Sequence, residues 1–409
     1  MTERVIPTNA TYNVATSKVF SDGKDITNSY TILSIAVSRV VNRVPLATLK
    51  LRDGSPAEEK FAASEGADII PGKQLEIAMG YDSKDQSIFK GVSVKQTIKV
   101  AADGDSLLMV ECRGVVAKLT IGRHSRYFQD SKDSDAIGSI IGRYKGLSAA
   151  VEDTDVQHAE LVQHYVTDWD FILSRAEMNG RIVLAEDLAE DSVLKVKRPA
   201  TQGKPLITLT YGANLLGFEA EMDARCQYPS VKAQAWSYTN QGLVETEAVE
   251  PSVNAQGNLS GETLAQAMAL PAWELRHGGW VAEQELQVWA DAQLLKSRLA
   301  KIQARVTMDG YPAAKPDAVI KLAGVGQRFN GLAYVSGIRH EVNGGAWTTH
   351  MQLGLDSKWF YKEPDIVEKP AAGLLPGVNG LQIGVVVQLE GDPDGEDRIL
   401  VKSTIVGFE

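Results

Sequence analysis

The sequence predicts a mainly β protein in which two β-regions flank a small α/β insert, and three observations indicate this. Short apolar runs bounded by turn residues fill residues 10–118 and return from residue 204 onward. Two segments with helical periodicity lie between them, within residues 119–200. Two stretches about 240 residues apart also read alike. Together these features indicate one β-unit present in two copies.

The repeat relates residues 89–110 to residues 329–353. Both stretches carry Phe, Gly, Ile and a turn Gly at a common offset, and both follow a proline-containing lead-in. This is the pattern of a glycine-punctuated β-hairpin. We expect two superposable units with Gly91 and Gly331 at matching bends, because glycine tolerates a close backbone approach that a Cβ obstructs. A chain built in this way points to assembly more than to catalysis.

Composition excludes several classes of protein. The 409 residues carry a net charge of −10, which argues against a phosphate-binding surface, so no nucleic-acid partner is expected. No run of 18 apolar residues is present, and the N-terminus lacks the apolar core of a secretion signal. Cys112 and Cys226 are too few for a disulfide framework and are interpreted as small core residues.

The first β-region is expected to span residues 1–118 and to form a β-barrel or a strongly curved sheet. Its first two strands follow apolar runs that end near Val41 and Leu51, and the second run meets the turn signal Asp53-Gly54. Three further strands are predicted to begin near Leu75, Phe89 and Leu107.

The α/β insert is expected to span residues 119–200. Ser134 is predicted to cap a helix that ends at Gly146. A second helix is predicted to begin after Thr167 or Asp168 and to end at Gly180. Strands are predicted at Gln163–Val166 and Arg181–Leu184. The second helix should bury the stripe Trp169, Ile172, Leu173 and Ala176.

The second β-region is expected to span residues 201–361. Residues 237–280 are polar and show no clear period, so we expect a protruding arm or a segment that a partner orders. A helix is predicted over residues 281–302, and its narrow stripe suits a contact with another helix or with the chain's own barrel. The arm and the stripe are candidate interface elements. The stripe consists of Val288, Ala292, Leu295, Leu299 and Ile302.

The last part of the chain is predicted to be a linker, residues 362–377, followed by one hairpin of a further β-domain, residues 378–409. The hairpin alone is too short to close a domain, so a truncated last domain is expected.

No residue pattern in the chain predicts chemistry. His340 and His350 fall on paired strands, but ordinary strand histidines are the default interpretation. The acidic loop Glu152–Asp155 lacks the glycine and the distal glutamate of a calcium loop. Residues 324–329 lack the third glycine of a dinucleotide loop and lead into a strand. We therefore predict no catalytic, cofactor-binding or metal-binding residue, no cofactor and no enzyme.

Several motifs together resemble the VgrG-like spike hubs, the family of phage late-control protein D and baseplate hubs, over residues 10–409. The most specific match lies at the start of the second predicted helix. The matching segments are Val37–Pro45, Pro71-Gly72-Lys73, Gly80-Tyr81-Asp82, Phe89-Lys90-Gly91, Thr167–Ile172 with Arg175, Glu177 and Gly180, Gly384–Val387, and Gly391–Arg398.

This resemblance implies two β-barrels similar to the inner-tube protein and the opening hairpin of an oligonucleotide/oligosaccharide-binding (OB) fold. It implies a structural hub of the central spike of a contractile injection system, with the extracellular injection particles as the nearest branch. Three subunits would offer six barrels, so that a three-fold spike adapts to a six-fold tube. The alternatives are a spike-borne cell-wall hydrolase and a carbohydrate-binding module.

The resemblance also implies a set of partners and a location. The expected partners are two further copies of the chain, the inner-tube or tube-initiator protein, baseplate components, and a spike-tip protein reached through a missing C-terminus. The particle would assemble in the bacterial cytoplasm, resemble a phage tail and be released extracellularly.

Overall fold

The computed structural model describes residues 14–101, 106–188, 192–269 and 271–363, and from there residues 366, 374, 383–393, 395 and 398–403. The chain divides into two compact units, Met1–Ile366 and Val367–Glu409. Over the described residues, every helix is too short or too polar to cross a membrane.

Seven strands form the first β-half of the larger unit, with one short helix between the fourth and the fifth. Apolar residues alternate along these strands, so that one face of the sheet packs into a core that contains Ile35, Leu49, Ile77 and Leu108. The elements are β1 (Ala15–Ser21), β2 (Lys24–Asp25), β3 (Thr31–Val40), β4 (Leu46–Arg52), α1 (Ala62–Glu65), β5 (Gln74–Tyr81), β6 (Lys84–Val100) and β7 (Ser106–Arg113).

The insert follows as a separate core. Its elements are a 3₁₀-helix (Val115–Thr120), β8 (His124–Lys132), α2 (Asp133–Ile141), β9 (Leu147–Val151), β10 (Gln157–Val166), α3 (Asp168–Met178), β11 (Ile182–Glu186) and β12 (Ser192–Lys197). β8 and β10 form a two-stranded ribbon, and the other strands form a three-stranded sheet in the order β11-β12-β9.

The remainder of the larger unit contains nine strands and two helices. They are β13 (Thr208–Thr210), β14 (Gly217–Met222), β15 (Val231–Ser237), β16 (Gly242–Glu247), α4 (Gly261–Ala267), β17 (Trp273–His277), α5 (Glu283–Leu299), β18 (Ile302–Asp309), β19 (Ala318–Ala323), β20 (Gly331–Asn343) and β21 (Ala346–Leu353), followed by a 3₁₀-helix (Phe360–Lys362). We call β13, β14 and β18–β21 the second β-half, and β15–β17 the appended sheet.

The two β-halves share one order over six strands, and the first half carries a short seventh strand, β2, outside β1. The first half reads β1-β5-β6-β7-β4-β3, and the second reads β13-β19-β20-β21-β18-β14. Within these six strands the pairing differs at one end, since β1 pairs antiparallel with β5 whereas β13 pairs parallel with β19. The mainly β class is therefore confirmed. The two predicted barrels are halves of one continuous 13-stranded sheet, because β3 of the first half also pairs with β20 of the second.

The hydrogen bonds around two bulges give the register of the repeat. The Gly72 N–H donates to the Ser93 carbonyl at 2.8 Å, and the Asp317 N–H donates to the Val335 carbonyl at 2.9 Å. One residue after Ser93 and one after Val335, the pairing with the next strand shifts at a bulge. Ser93 therefore corresponds to Val335.

The predicted equivalence of Gly91 and Gly331 is consequently wrong by two residues, and Gly91 corresponds to Ala333. Gly331 has a φ of +121°, which favours glycine, and an added Cβ would lie 2.7 Å from the Ala255 carbonyl oxygen. Gly91 has no such φ and is required for another reason, because its Cβ would lie 2.4 Å from the Arg113 carbonyl oxygen. The bulges set the offset between the two copies of the repeat, and a comparison of residue types alone does not show where a bulge lies.

The expectation that residues 237–280 form an irregular arm is also wrong. This range contains β16, β17 and α4, and the appended sheet has the order β16-β15-β17. The segment is an excursion between β14 and β18, at the place where the first half has only a short turn between β3 and β4. Its short strands carry charged and aromatic residues on their outer face, so the alternation of apolar and polar residues cannot be recognised in the sequence.

The helix predicted over residues 281–302 ends at Leu299, and Ile302 belongs to β18. The residues of α5 that pack on the appended sheet are Leu286, Ala290 and Leu294, whereas Val288 and Leu295 are only partly buried. Of the predicted stripe, Ala292, Leu299 and Ile302 are buried. Ala292 and Leu295 lie beside Gly180, just after the end of α3, so this side of α5 contacts another helix, as the prediction allowed, and is distinct from the face that packs on the appended sheet. The helix predicted after Ser134 likewise begins earlier, with Lys132 as its cap, and ends at Gly142.

The second helix of the insert agrees with its prediction. The Thr167 side chain accepts a hydrogen bond from the Asp170 N–H at 3.1 Å and caps α3, and Gly180 follows the helix with a φ of +62°. The predicted stripe is buried throughout, and its members are Trp169, Ile172, Leu173 and Ala176.

The smaller unit contains one described hairpin, formed by β22 (Gly384–Gln388) and β23 (Leu400–Ser403), which pair antiparallel. This agrees with the hairpin predicted there, and most of the predicted linker lies outside the described residues. The OB-fold assignment and the domain boundaries remain predictions.

Candidate functional site at the junction of the two β-halves

The junction is an antiparallel pairing of β3 with β20 over seven residue pairs, from Val40 opposite Gly337 to Ser34 opposite Asn343. A Cβ at Gly337 would lie 2.8 Å from Val40 Cγ2, so the close approach of the strands at this end requires glycine. The junction joins the two copies of the repeat through backbone hydrogen bonds. An element of one copy thereby completes the sheet of the other.

The tip of the β20–β21 hairpin also completes the core of the first β-half. Trp347 is buried and belongs to that core, with its ring 5.1 Å from the ring of Tyr81 and 5.8 Å from that of His340. The second copy therefore supplies a large aromatic side chain to the first. Truncation of a buried tryptophan to alanine typically lowers the free energy of unfolding by about 3–5 kcal/mol, so Trp347 contributes substantially to the stability of the first core.

His340 lies within this junction and is fully buried. Burial lowers the pKa of His340 to about 4, and the nearby charges of Arg39 and His350 act in the same direction. Its Nδ1 lies 3.0 Å from Thr349 Oγ1. His350 is adjacent to Thr349 on β21 and so points to the opposite face of the sheet, where its Nδ1 lies 2.9 Å from Thr307 Oγ1. The strands are paired as predicted, but the two histidines do not form a pair.

Asn42 attaches the insert to the junction. It has a φ of +61°, and its backbone N–H donates to the Val183 carbonyl at 2.7 Å while its side-chain oxygen accepts from the Val183 N–H at 2.7 Å. The preceding Val41 N–H donates to the Ser336 carbonyl at 2.9 Å. The turn after β3 therefore contacts both β11 and β20, which fixes the insert against the second β-half.

A buried carboxylate, Asp133, joins the elements of the insert. It accepts hydrogen bonds from Arg175 Nε at 2.5 Å and Asn179 Nδ2 at 2.9 Å, and it lies 3.1 Å from His158 Nε2. Burial raises the pKa of Asp133, but the bonds with His158 and Arg175 outweigh it and hold the pKa below its ordinary value. Arg175 also reaches Glu285 of α5 at 3.4 Å, so this cluster links the insert to the appended sheet.

A second buried carboxylate, Asp168, lies at the start of α3. It forms an ion pair with Arg126 and accepts hydrogen bonds from Gln163 Nε2 and Tyr144 Oη, each at 2.7 Å. Burial and the adjacent Asp168 raise the pKa of Tyr144 to about 12. Both carboxylates are saturated by partners within the fold, which is the arrangement of structural clusters and not of a poised acid or base.

A cavity of about 720 Å³ lies between the junction, the insert and α5. Its wall includes Trp169, Ala292 and Leu295, and also the ion pair of Lys296 with Glu177. Glu177 additionally accepts a hydrogen bond from the Phe360 N–H at 2.6 Å. Lys296, Glu177 and the Phe360 N–H bind one another and do not point to a ligand. We therefore interpret the cavity as a gap between packed elements of the fold.

The remaining candidates from the sequence have structural surroundings. Glu152 accepts a hydrogen bond from Arg181 at 3.1 Å, and Asp153 forms an ion pair with Lys132 at 2.9 Å. Burial raises the pKa of the Cys112 thiol to about 12 and also raises that of Cys226, and both cysteines are free. Across the described ranges, no group of three or more His, Cys, Asp or Glu side chains could hold a metal ion.

Sequence reading did not find Asp133, Asp168 or His340 as buried groups. The available signal for Asp168 was its place in the Thr167–Ile172 motif, in which Thr167 already caps the helix and leaves Asp168 a different role. For His340 no local signal exists, since its burial depends on β3, some 300 residues earlier in the chain.

Comparison with known proteins agrees with this architecture. The sequence matches the family described as the Alg8 N-terminal domain over residues 11–344. No curated protein sequence matches it.

Solved structures are similar to this chain at low sequence identity. A tail protein from Neisseria meningitidis MC58 has a TM-score of 0.63 at 14% identity, covering 86% of this chain and 99% of its own. The 43 kDa tail protein of prophage MuSo2 from Shewanella oneidensis has a TM-score of 0.57 at 12% identity, covering 83% of this chain and 96% of its own. A component of the E. coli type VI secretion system has a TM-score of 0.49 at 10% identity, covering 90% and 84%.

The predicted resemblance is thus confirmed at the level of the fold, which this chain shares with the two tail proteins. The family match covers residues from the first strand described to the end of β20, and so includes the first β-half, the insert, the appended sheet and all strands of the second β-half except β21. The chain belongs to the family described as the Alg8 N-terminal domain.

Proposed function

We propose that this chain is a non-enzymatic structural hub in the central spike of a contractile injection system, and that it works as a homotrimer. The observation that carries the proposal is the order of six strands that the two β-halves share. One chain presents two copies of one β-unit, so three chains present six. Such a ring matches a three-fold spike on one side and a six-fold tube on the other.

The shared fold of two tail proteins, each covered almost completely, supports the same role. The hydrogen-bonded clusters at Asp133 and Asp168 also support this role, because each of them joins separate elements of the insert and so helps the subunit resist mechanical force. In this proposal one face of the six-unit ring binds the inner-tube or tube-initiator protein. Other surfaces of the trimer bind baseplate components and a spike-tip protein.

Localisation in assembled particles tests the proposal. A peptide tag on the exposed turn of Gly344 and Gly345, visualised with tag-binding gold in electron micrographs, should lie at the junction of tube and spike. The same tag on the inner-tube protein is the control and should label the full length of the tube. Labelling of the sheath or of the particle exterior would contradict the role as a hub.

A second test removes the chain altogether. Cells that lack it should assemble no tube-containing particles, and the unaltered chain supplied in trans should restore assembly. Particles with normal tubes and spikes in its absence would exclude the chain as the hub.

A further inference from the structure

Among the open strand edges of the large sheet, two are related by the repeat to the β3–β20 junction, and neither pairs with a strand in the part of the chain that the structure describes. β6 pairs with β5 through Val92 and with β7 from Val92 to Val100. On the side opposite β7, the segment 94–100 pairs with no described strand. β14 pairs with β18 alone, so its outer edge is also open.

The repeat gives the equivalent of each edge. Since Ser93 corresponds to Val335 and a bulge follows each, Lys99 of β6 corresponds to Glu341 of β20. Glu219 of β14 corresponds to Ala36 of β3, because the two residues hold the same place in the strand order and register. Within the chain, Glu341 is paired directly with Ala36.

We propose that the open edge of β6 in one subunit pairs antiparallel with the outer edge of β14 in a second copy of this chain, in the register of the β3–β20 junction. The register places Lys99 opposite Glu219, Val100 opposite Phe218 and Ile98 opposite Ala220. The inference rests on the trimeric part of the proposed function and names the surface that closes the ring. Three junctions within chains then alternate with three between chains.

One face of the proposed pairing is apolar and exposed in the single chain, as expected of an interface whose partner is absent. Ile98 and Val100 are 47% and 64% exposed, whereas His340, at the position equivalent to Ile98, is fully buried under β3. Phe218 and Ala220 of β14 are partly buried at the margin of the second core. The pairing would cover this margin with Ile98 and Val100, as the β20–β21 tip covers the first core with Trp347. A long open edge with apolar residues is otherwise a site of uncontrolled pairing.

The polar face shows complementary charge. β6 carries Lys95 and Lys99, and β14 carries Glu219 and Glu221. None of these four side chains has an ion-pair partner among the described residues. Opposite charges directly across two strands favour one register, and like charges oppose it. The intramolecular junction has a smaller residue, Ala36, where Glu219 lies, so the charge pair belongs to the junction between chains alone and distinguishes it from the internal one.

Disulfide trapping tests the register. In a Cys226→Ser background, Lys99→Cys with Glu219→Cys should give a covalent trimer on a non-reducing gel after mild oxidation. Ala36→Cys with Glu341→Cys is the matched control at the equivalent positions, and it should close within one chain without changing the mass. The remaining Cys112 is buried and does not react.

Charge exchange gives an independent readout by light scattering. Lys99→Glu should raise the dissociation constant of the trimer about tenfold, and the double variant with Glu219→Lys should restore it. A trimer that is neither cross-linked nor sensitive to the exchange overturns this junction and leaves the proposed hub intact. A chain that stays monomeric or dimeric at high concentration overturns both.

Discussion

His340 lies in an enclosed part of the sheet, near Arg39 of β3 and opposite Thr349 of β21. With a folded pKa of about 4 and an ordinary value of 6.5, it is neutral in the native state near neutral pH. Between these two values the unfolded chain binds more protons than the folded chain. The stability that His340 contributes is therefore complete above about pH 6.5 and is lost as the pH falls towards 4.

We expect the free energy of unfolding to fall by about 2 kcal/mol between pH 7 and pH 5 because of this residue. His340→Gln should remove most of that pH dependence, measured by urea denaturation at both pH values. His277→Gln is the control, because His277 is exposed and should leave the dependence unchanged. An equally steep dependence in His340→Gln would show that other groups cause it.

Trp169 offers a second test at a single residue. It is 6% exposed and packs in the core of the insert. Trp169→Ala should lower the free energy of unfolding by about 3–5 kcal/mol, whereas Trp280→Ala, at an exposed tryptophan, should change it by less than about 0.5 kcal/mol. Equal effects of the two substitutions in thermal melting would contradict the assignment of Trp169 to the core.

These two residues also show how far sequence reading extends at this scale. Trp169 was predictable because its burial follows from helical spacing within one segment and from a cap and a stop at its ends. His340 was not predictable, because its environment is assembled from strands far apart in the chain. The same reason applies to Asp133, whose partner Arg175 lies on α3 and whose partner Asn179 directly follows that helix.

Among the elements, α5 has the largest structural role in the excursion between β14 and β18. Its residues Leu286, Ala290 and Leu294 recur every four positions and pack on Val231, Ala233 and Ala235 of β15. Without this helix the appended sheet would have three short strands and no covered face, an arrangement that is marginal in water. We infer that α5 holds the segment 237–280 in the folded subunit.

Leu294→Ala should therefore cost about 2–5 kcal/mol and should raise the rate of hydrogen exchange in β15, β16 and β17. Leu295→Ala is the matched control on the neighbouring residue, which is only partly buried and borders the cavity. It should leave exchange in the appended sheet unchanged. Rapid exchange of these strands in the unaltered chain would instead restore the interpretation of an arm that only a partner orders.

The excursion also explains why the strands of the two β-halves were predicted with different success. In the first half no further sheet is inserted between the strands, so the apolar alternation of successive strands can be followed directly along the sequence. In the second half, about 80 residues separate β14 from β18, although the two strands pair directly. Pairing over such a separation leaves no local pattern, so strand existence was predictable but strand order was not.

At the scale of the whole molecule, the β3–β20 pairing makes the two β-halves parts of one sheet with two cores. Leu75 and Ile320 hold equivalent places in these cores, since each lies in the strand next to the long central one, and both are fully buried. Trp347 extends from the second half into the first core. Loss of either core would thus expose surface that the other half covers, so we expect the halves to unfold together.

Leu75→Ala and Ile320→Ala should each lower stability by about 2–5 kcal/mol and shift one common unfolding transition of the larger unit. The transition can be followed in urea by circular dichroism and by tryptophan fluorescence, and coincidence of the two curves in each variant is the criterion for a single step. Gly337→Val should separate the steps, because its side chain would collide with Val40 and open the junction. Two separate transitions in Leu75→Ala or Ile320→Ala would mean that the halves are independent domains and that the junction transmits no load between them.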